Sequence, residues 1–194
     1  MKKNIKVNFS QFLNVEFPEV SFKENKINSE EGFSHAILLI EERCVVNRKK
    51  LMFIGNGGSA AIASHQAIDF FNTCKIEAMA FNDPSVLTCL ANDFGYEKAF
   101  ARIMDVFAKE GDILGAISSS GSSKNILNAV EKAKEKGCFI ITMSGFNPGN
   151  PLRRMGDLNF YARSDSYRRV EAAHLVYWDI IGEYVSQEKN KSRN

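Results

Sequence analysis

Residues 51–61 read Leu51-Met52-Phe53-Ile54-Gly55-Asn56-Gly57-Gly58-Ser59-Ala60-Ala61. The apolar run Leu51 to Ile54 is too short for a buried helix and of the right length for a buried strand. Gly55, Gly57 and Gly58 then let the backbone turn sharply and bring its amides close to a ligand, and a helix starts near Ala60. The same order returns at Ile113 to Ile117, where the run opens into Ser118-Ser119-Ser120-Gly121-Ser122-Ser123 ahead of a helix from Lys124. Further apolar runs stand at Ile76 to Phe81, Phe139 to Met143 and Leu158 to Ala162, most of them separated by longer segments of helical periodicity. Such alternation predicts an α/β fold, a three-layer sandwich with a parallel sheet between helices on both faces.

The intervening segments carry their own signals. In Lys124 to Lys136, Ile126, Leu127, Val130 and Ala133 make an apolar stripe while Lys132, Glu135 and Lys136 point elsewhere, as an amphipathic crossover helix requires. Upstream, Ser29-Glu30-Glu31 is a capping signal, and Phe33, Ile37, Leu38 and Ile40 follow at near-helical spacing to an end near Asn47. His35 reads as a structural residue on that helix. Downstream, Val170 to Val185 is helical through Ala173, His174, Tyr177, Ile181 and Tyr184. Apolar residues surround so much of it that Tyr177 and Trp178 are expected at a subunit interface. Residues 29–187 read as a single domain. Residues 1–28, with Phe9, Phe12, Phe17 and Phe22 among charges and Pro18 breaking any long helix, read as an arm, and residues 188–194 as a frayed polar tail.

Composition narrows the function classes. With 194 residues, 44% of them hydrophobic and 25% charged, the chain can bury a sizeable core and is not disordered. Lys and Arg number 25 against 23 Asp and Glu, so the net charge of +2 gives no reason to expect nucleic acid or a membrane surface as partner. No apolar stretch approaches a membrane span, and Met1-Lys2-Lys3-Asn4 leads into no signal-like block. Cys44, Cys74, Cys89 and Cys138 lack paired spacing, as reduced thiols of a cytoplasmic protein would.

The two loops after the Leu51 and Ile113 runs would lie together at the carboxyl edge of a parallel sheet, where ligands of such sheets bind. Free amides, helix dipoles and serine hydroxyls suit an oxyanion. Taken singly, each loop also reads as serines capping a helix and glycines making a turn. Gly55 to Ala60 fits the looser G-x-G-x-x-A dinucleotide fingerprint, with Glu77 about 20 residues on, but that leaves the serine loop unexplained. Neither loop ends in the Gly-Lys-Ser/Thr of a P-loop, so a phosphorylated small molecule is preferred over a nucleotide.

Gly55-Asn56-Gly57-Gly58-Ser59-Ala60-Ala61 with His65, then Asn92-Asp93-Phe94-Gly95, then Ser118 to Ser123, resembles the sugar isomerase (SIS) family, and within it the phosphoheptose isomerase branch. The resemblance runs from about Ser29 to Val185. It implies a five-stranded parallel sheet flanked by helices, a homotetramer, and aldose–ketose isomerisation of sedoheptulose 7-phosphate for lipopolysaccharide or capsule precursors. The phosphosugar would then lie on Asn56, Gly57, Gly58, Ser59, Ser118, Ser119, Ser120 and Ser123. Asn92, Asp93 and Arg169 match family residues that contact the sugar, although Asn-Asp-Phe-Gly also reads as an ordinary turn and Arg169 as a solvated arginine.

Moving a proton between adjacent carbons through an enediol needs a base, an acid and a group that polarises the oxygen. His65 and Asp69, four residues apart, share one helix face, and Glu171 and His174, three apart, share another. By resemblance, a metal-binding His falls on His65 and a catalytic, metal-binding Glu on Asp69. A Gln position falls on Glu171, a common His on His174, and a final metal and acid–base His on Asp179. The catalytic set is thus Asp69, Glu171, His174 and Asp179. The metal set is His65, Asp69, Glu171 and Asp179, with zinc the family precedent; for one His and three carboxylates, a harder divalent cation or no metal at all stands as an equal alternative. Asp179 is the main departure, because a carboxylate binds metal yet is a poor acid near neutral pH. Thr73, where the family carries a substrate-contacting Arg, is the second. At about 100° per residue, Asp179 lies about 80° from Glu171 and about 140° from His174, so the three cannot all point into one pocket. These departures keep an alternative open: a non-catalytic phosphosugar-binding or replication-initiator-associating protein of the same fold.

Overall fold

The computed structural model describes residues 17–191. The chain order is β1 (Glu19–Phe22), β2 (Asn25–Ile27), α1 (Ser29–Ile40) with a π-helical turn at Glu41–Val46, β3 (Leu51–Gly55), α2 (Gly58–Asn72), β4 (Ala78–Ala80), α3 (Pro84–Phe94), α4 (Ala99–Phe107), β5 (Ile113–Ser118), α5 (Lys124–Glu135), β6 (Phe139–Ser144), β7 (Leu158–Tyr161) and α6 (Tyr167–Lys191). All five apolar runs are strands. They pair in parallel in the order β7-β6-β5-β3-β4.

The sheet has seven strands, because residues 19–27, inside the segment read as an arm, form a hairpin that adds antiparallel to β7. The hairpin escaped the sequence reading because its residues are mostly polar. Val20 is its one buried apolar side chain, with Phe22 and Ile27 partly buried against the same core, and Glu19 is held by Arg153 and Arg163. Phe9 and Phe12 lie outside the described residues, and Phe17 is exposed. At the other end, α6 continues to Lys191, into the segment read as a tail.

Period-two alternation divides β3 between two cores. Leu51 and Phe53 face α1, α2 and α6, whereas Met52 and Ile54 face α4 and α5. These are the three layers. Tyr177 and Trp178, expected at a subunit interface, belong instead to the first core. Trp178 is 0% exposed and stands edge-on to Phe53 at 4.9 Å and Phe70 at 6.2 Å. Gly115 of β5 makes room for it, since a Cβ there would fall 2.9 Å from the indole Cζ2. α1 is capped one residue ahead of the sequence signal: Asn28 Oδ1 accepts from Glu31 N at 2.8 Å, and the Glu31 carboxylate accepts from Asn28 N. His35, on α1, is exposed and stacks on Phe22. Cys44, Cys74 and Cys138 are buried and Cys89 is exposed, and none of the four is in a disulfide. Burial pushes the Cys44 thiol up to about 12 and that of Cys138 up to about 11. Among the described residues no helix is long and apolar enough to cross a membrane.

Candidate active site

Strands β3 and β5 are neighbours, and at their carboxyl ends two helices begin without a side-chain cap. α2 starts after Gly57, at φ +53°, and α5 after Ser123, whose hydroxyl makes no capping bond. First-turn N–H groups left free by side chains, at the positive end of a helix dipole, attract an anion. Between the two lies a pocket of about 140 Å³ lined by Asn56, Ser59, Ser118, Ser119, Ser120, Ser123, Tyr167 and Glu171.

Its hydroxyls are ordered by one another. Ser118 Oγ donates to Ser123 Oγ at 3.3 Å, and Ser120 Oγ accepts from Ser122 N at 3.3 Å. Ser119 Oγ is buried and has no partner among the described residues. A hydroxyl left so costs about 1–3 kcal/mol, which a ligand oxygen in the pocket would recover. Two glycines are obligatory. Gly121 has φ +62° and any side chain there would run into the Asn150 carboxamide, while a Cβ on Gly55 would fall 2.5 Å from the Ser59 carbonyl.

The last helix lies beside the first of these helices in step. The Glu171 carboxylate rests against Gly58, at the first turn of α2. Farther along, Gln66 Nε2 donates to Asp179 Oδ1 at 2.6 Å, and this pair has the same sequence separation, 113 residues, as Gly58 and Glu171. α2 and α6 therefore run parallel, and what lies near residue 66 is about 12 Å along the pair from the pocket end, at about 1.5 Å per residue.

At that distance stands a second cluster. His65 Nε2 lies 3.2 Å from Asp69 Oδ2, and one ligand atom from each of His65, Asp69 and Asp179 falls within 4.8 Å of the others. Two metal–ligand bonds of about 2.1 Å span at most about 4.2 Å, so small side-chain rotations close the group on a cation. One imidazole and two carboxylates accept zinc or a harder divalent metal. The buried Gln66, 1% exposed, fixes the orientation of Asp179.

The expected residues thus separate. Glu171 does not join the His65–Asp69–Asp179 group; it belongs to the serine pocket, two helical turns away. His174 reaches neither. It is 0% exposed, its Nε2–H donates to the Ser144 carbonyl at 3.1 Å, and burial pushes its pKa down to about 4. A neutral, enclosed imidazole of that kind holds α6 to the end of β6 and is part of neither the serine pocket nor the His65–Asp69–Asp179 group, where the expected acid–base role would put it. Asn92 and Asp93 sit exposed in the last turn of α3, bonded to each other at 3.0 Å, and do not line the pocket. Arg169, exposed in the first turn of α6, does not line it either. Thr73 turns back, its hydroxyl donating to the Asp69 carbonyl at 2.5 Å.

Two residues of the site went unread in the sequence: Gln66, which holds Asp179, and Tyr167, which lines the pocket. Gln66 carried a signal. It lies four residues after Ile62 and three after Ala63, on the apolar face of α2, where a polar side chain must have a partner. Tyr167 carried none.

Residues 21–145 match the SIS domain family. The phosphoheptose isomerase of Sulfurimonas denitrificans is 34% identical over 97% of this chain and 96% of its own length. That of Helicobacter pylori is 36% identical over 74% of this chain and 77% of its own. The solved phosphoheptose isomerase of Neisseria gonorrhoeae superposes with a TM-score of 0.74 at 28% identity, covering 81% of this chain and 86% of the other.

Proposed function

The chain belongs to the SIS domain family, and from that membership we propose that it is a phosphoheptose isomerase, converting sedoheptulose 7-phosphate into the aldose heptose 7-phosphate. The observation that carries this reading is the step between α2 and α6. It sets a hydroxyl-lined anion pocket with an unsatisfied Ser119 Oγ and a His–Asp–Asp group about 12 Å apart on one helix pair. The open chain of a seven-carbon sugar phosphate, with bonds of about 1.5 Å, is of the same order of length. The phosphate would lie on Ser59, Ser118, Ser119, Ser120 and Ser123, at the positive ends of α2 and α5, and the reacting carbons toward Asp69.

In the ketose the carbonyl is at C2. Asp69 would take one C1 proton, and the electron pair moves into a C1–C2 double bond while O2 gains a proton, giving the enediol. Return of the carbon-bound proton to C2, with loss of the O1 proton, leaves the aldehyde at C1. The net change is one hydrogen from C1 to C2 and one from O1 to O2, so no redox cofactor is consumed. His65, Asp69 and Asp179 would hold a divalent metal, which when bound polarises the sugar oxygens. Glu171 lies at the pocket end, within reach of a hydroxyl near the phosphate rather than of C1.

The same reading places the enzyme in the cytoplasm as a homotetramer making lipopolysaccharide or capsule precursors. Support for an oligomer comes from α3, which buries none of its residues within the chain, and from exposed Ile68, Phe71, Val106 and Phe107. Thr73, turned back on Asp69 where the family carries Arg, favours the second reading, a phosphosugar-binding protein without turnover. Proton NMR with sedoheptulose 7-phosphate in deuterated buffer decides between them. Deuterium entering the sugar as the aldose forms supports the isomerase, and Asp69→Asn should abolish it while phosphate binding persists. Binding without exchange refutes it.

A further inference from the structure

Asn56 is the first residue of the glycine turn that carries a side chain, and that side chain is held from two directions. Its Oδ1 accepts from the Tyr96 hydroxyl at 2.8 Å and from Asn125 Nδ2 at 2.9 Å, and its own Nδ2 donates to Asn125 Oδ1 at 3.0 Å. Which end of each carboxamide is oxygen follows from one fixed point. The Ile126 backbone N–H, in the first turn of α5, donates to the Asn125 side chain at 3.0 Å, and a backbone N–H can only meet an acceptor. The atom it meets is Oδ1, so Asn125 must present Nδ2 to Asn56, and Asn56 must answer with its oxygen. Tyr96 supplies the second donor to that oxygen.

Both lone pairs of Asn56 Oδ1 are then occupied. The hydrogen-bonding capacity left to this side chain is one Nδ2–H, and Asn56 lines the serine pocket. Asn125 is 4% exposed, so its half of the pair is shielded from water. We infer that Tyr96 and Asn125 are positioning residues for ligand binding: they lock the Asn56 carboxamide so that the pocket meets an N–H donor and never the amide oxygen. The lock selects an acceptor-only group such as phosphate and rejects a ligand that would need to donate there. It also ties the two loops together, since Asn56 follows β3 and Asn125 opens α5. The inference rests on reading this pocket as the phosphate site.

The test is a double-mutant cycle, because a residue acting through Asn56 loses its effect once that side chain is gone. Affinity for inorganic phosphate is measured by titration calorimetry, and kcat and KM with sedoheptulose 7-phosphate, for wild type, Tyr96→Phe, Asn125→Ser and each change combined with Asn56→Ala. Tyr96 is 48% exposed, so its hydroxyl can be removed without opening the core. One hydrogen bond of this kind is worth about 3- to 10-fold. Tyr96→Phe and Asn125→Ser should each weaken phosphate and raise KM by about that factor with kcat within about twofold, and neither should add to the loss already caused by Asn56→Ala. Additive losses, or a Tyr96→Phe protein that binds phosphate as wild type does, overturn the inference while leaving the phosphate site standing. A wild-type chain that binds no phosphate overturns the site reading and the inference together. One that binds phosphate but does not isomerise overturns the enzymatic reading alone, and the cycle in phosphate affinity still decides the role of Tyr96 and Asn125.

Discussion

His174→Asn should change the pH dependence of stability more than stability itself. The imidazole is fully enclosed, and burial pushes its pKa from 6.5 down to about 4 against a smaller opposing effect of the Ser144 carbonyl. The folded value lies below the unfolded one, so on acidification the unfolded chain takes up the proton first. Stability from this residue is therefore whole above about pH 7 and drains away as the pH falls from 6.5 toward 4. Two and a half pKa intervals correspond to about 3 kcal/mol in the limit, of which about 2 kcal/mol is lost by pH 5. Asparagine keeps a donor for the Ser144 carbonyl but carries no proton to gain. The variant should lose about 1–3 kcal/mol at pH 8 from imperfect packing and be nearly level with wild type at pH 5. Urea unfolding followed by the fluorescence of Trp178, the one tryptophan and fully buried, at pH 8 and pH 5 measures the difference. Glu19, held low by its hydrogen bonds to Arg163 and Arg153, also makes the protein acid-sensitive, but equally in both chains, so it cancels. Parallel losses in the two proteins, or an imidazole of His174 that titrates near 6.5 in NMR, would refute a buried neutral histidine and return it to the list of proton carriers.

Two further outcomes follow from the loops and thiols. Gly121→Ala meets both a positive φ and the Asn150 carboxamide, whereas Gly57→Ala meets a positive φ with open space beyond. The first should cost well over the about 1–2 kcal/mol expected of the second, read as the difference in thermal unfolding, and equal costs would mean that the serine loop is not packed on Asn150 as described. Of the four cysteines, only exposed Cys89 should react quickly with a thiol reagent in the native protein, and all four after denaturation.

The parallel sheet was legible because its central strands β3 and β5 are buried on both faces and so read as apolar runs. Leu51 to Ile54 could send alternate side chains to two different cores and still look uniform in sequence. The hairpin at residues 19–27 is the opposite case. With Val20 its one buried apolar side chain and Phe22 and Ile27 only partly buried against the core, its apolar signal is thin among charges, and its place in the sheet depends on β7, more than 130 residues away. Trp178 misled for a related reason. A helix apolar on most sides needs burial on most sides, and sequence does not say whether α1, α2 and the sheet of the same chain provide it or a second chain does. Here Phe53, Phe70 and the gap left by Gly115 provide it.

The candidate site was legible in part as residues, the glycine and serine loops and the His65–Asp69 pair among them, and not as a set of distances. A carry-over by position places His65, Asp69, Glu171 and Asp179 in one metal shell, yet residues 171 and 179 of a straight helix are about 12 Å apart and about 80° out of phase. That conflict was readable from spacing alone. Its resolution was not, because it required the partner helix and its register. Once α2 lies parallel to α6 with Gly58 at Glu171 and Gln66 at Asp179, the carboxylates have different neighbours and hence different chemistry. Glu171 meets the amide end of a helix dipole and hydroxyls, surroundings for an anion, whereas Asp179 meets an imidazole and a second carboxylate, surroundings for a cation. On the proposed function, a substrate that engages both would carry its phosphate at one end and its enolisable carbons at the other, with the helix register setting how far apart they stand.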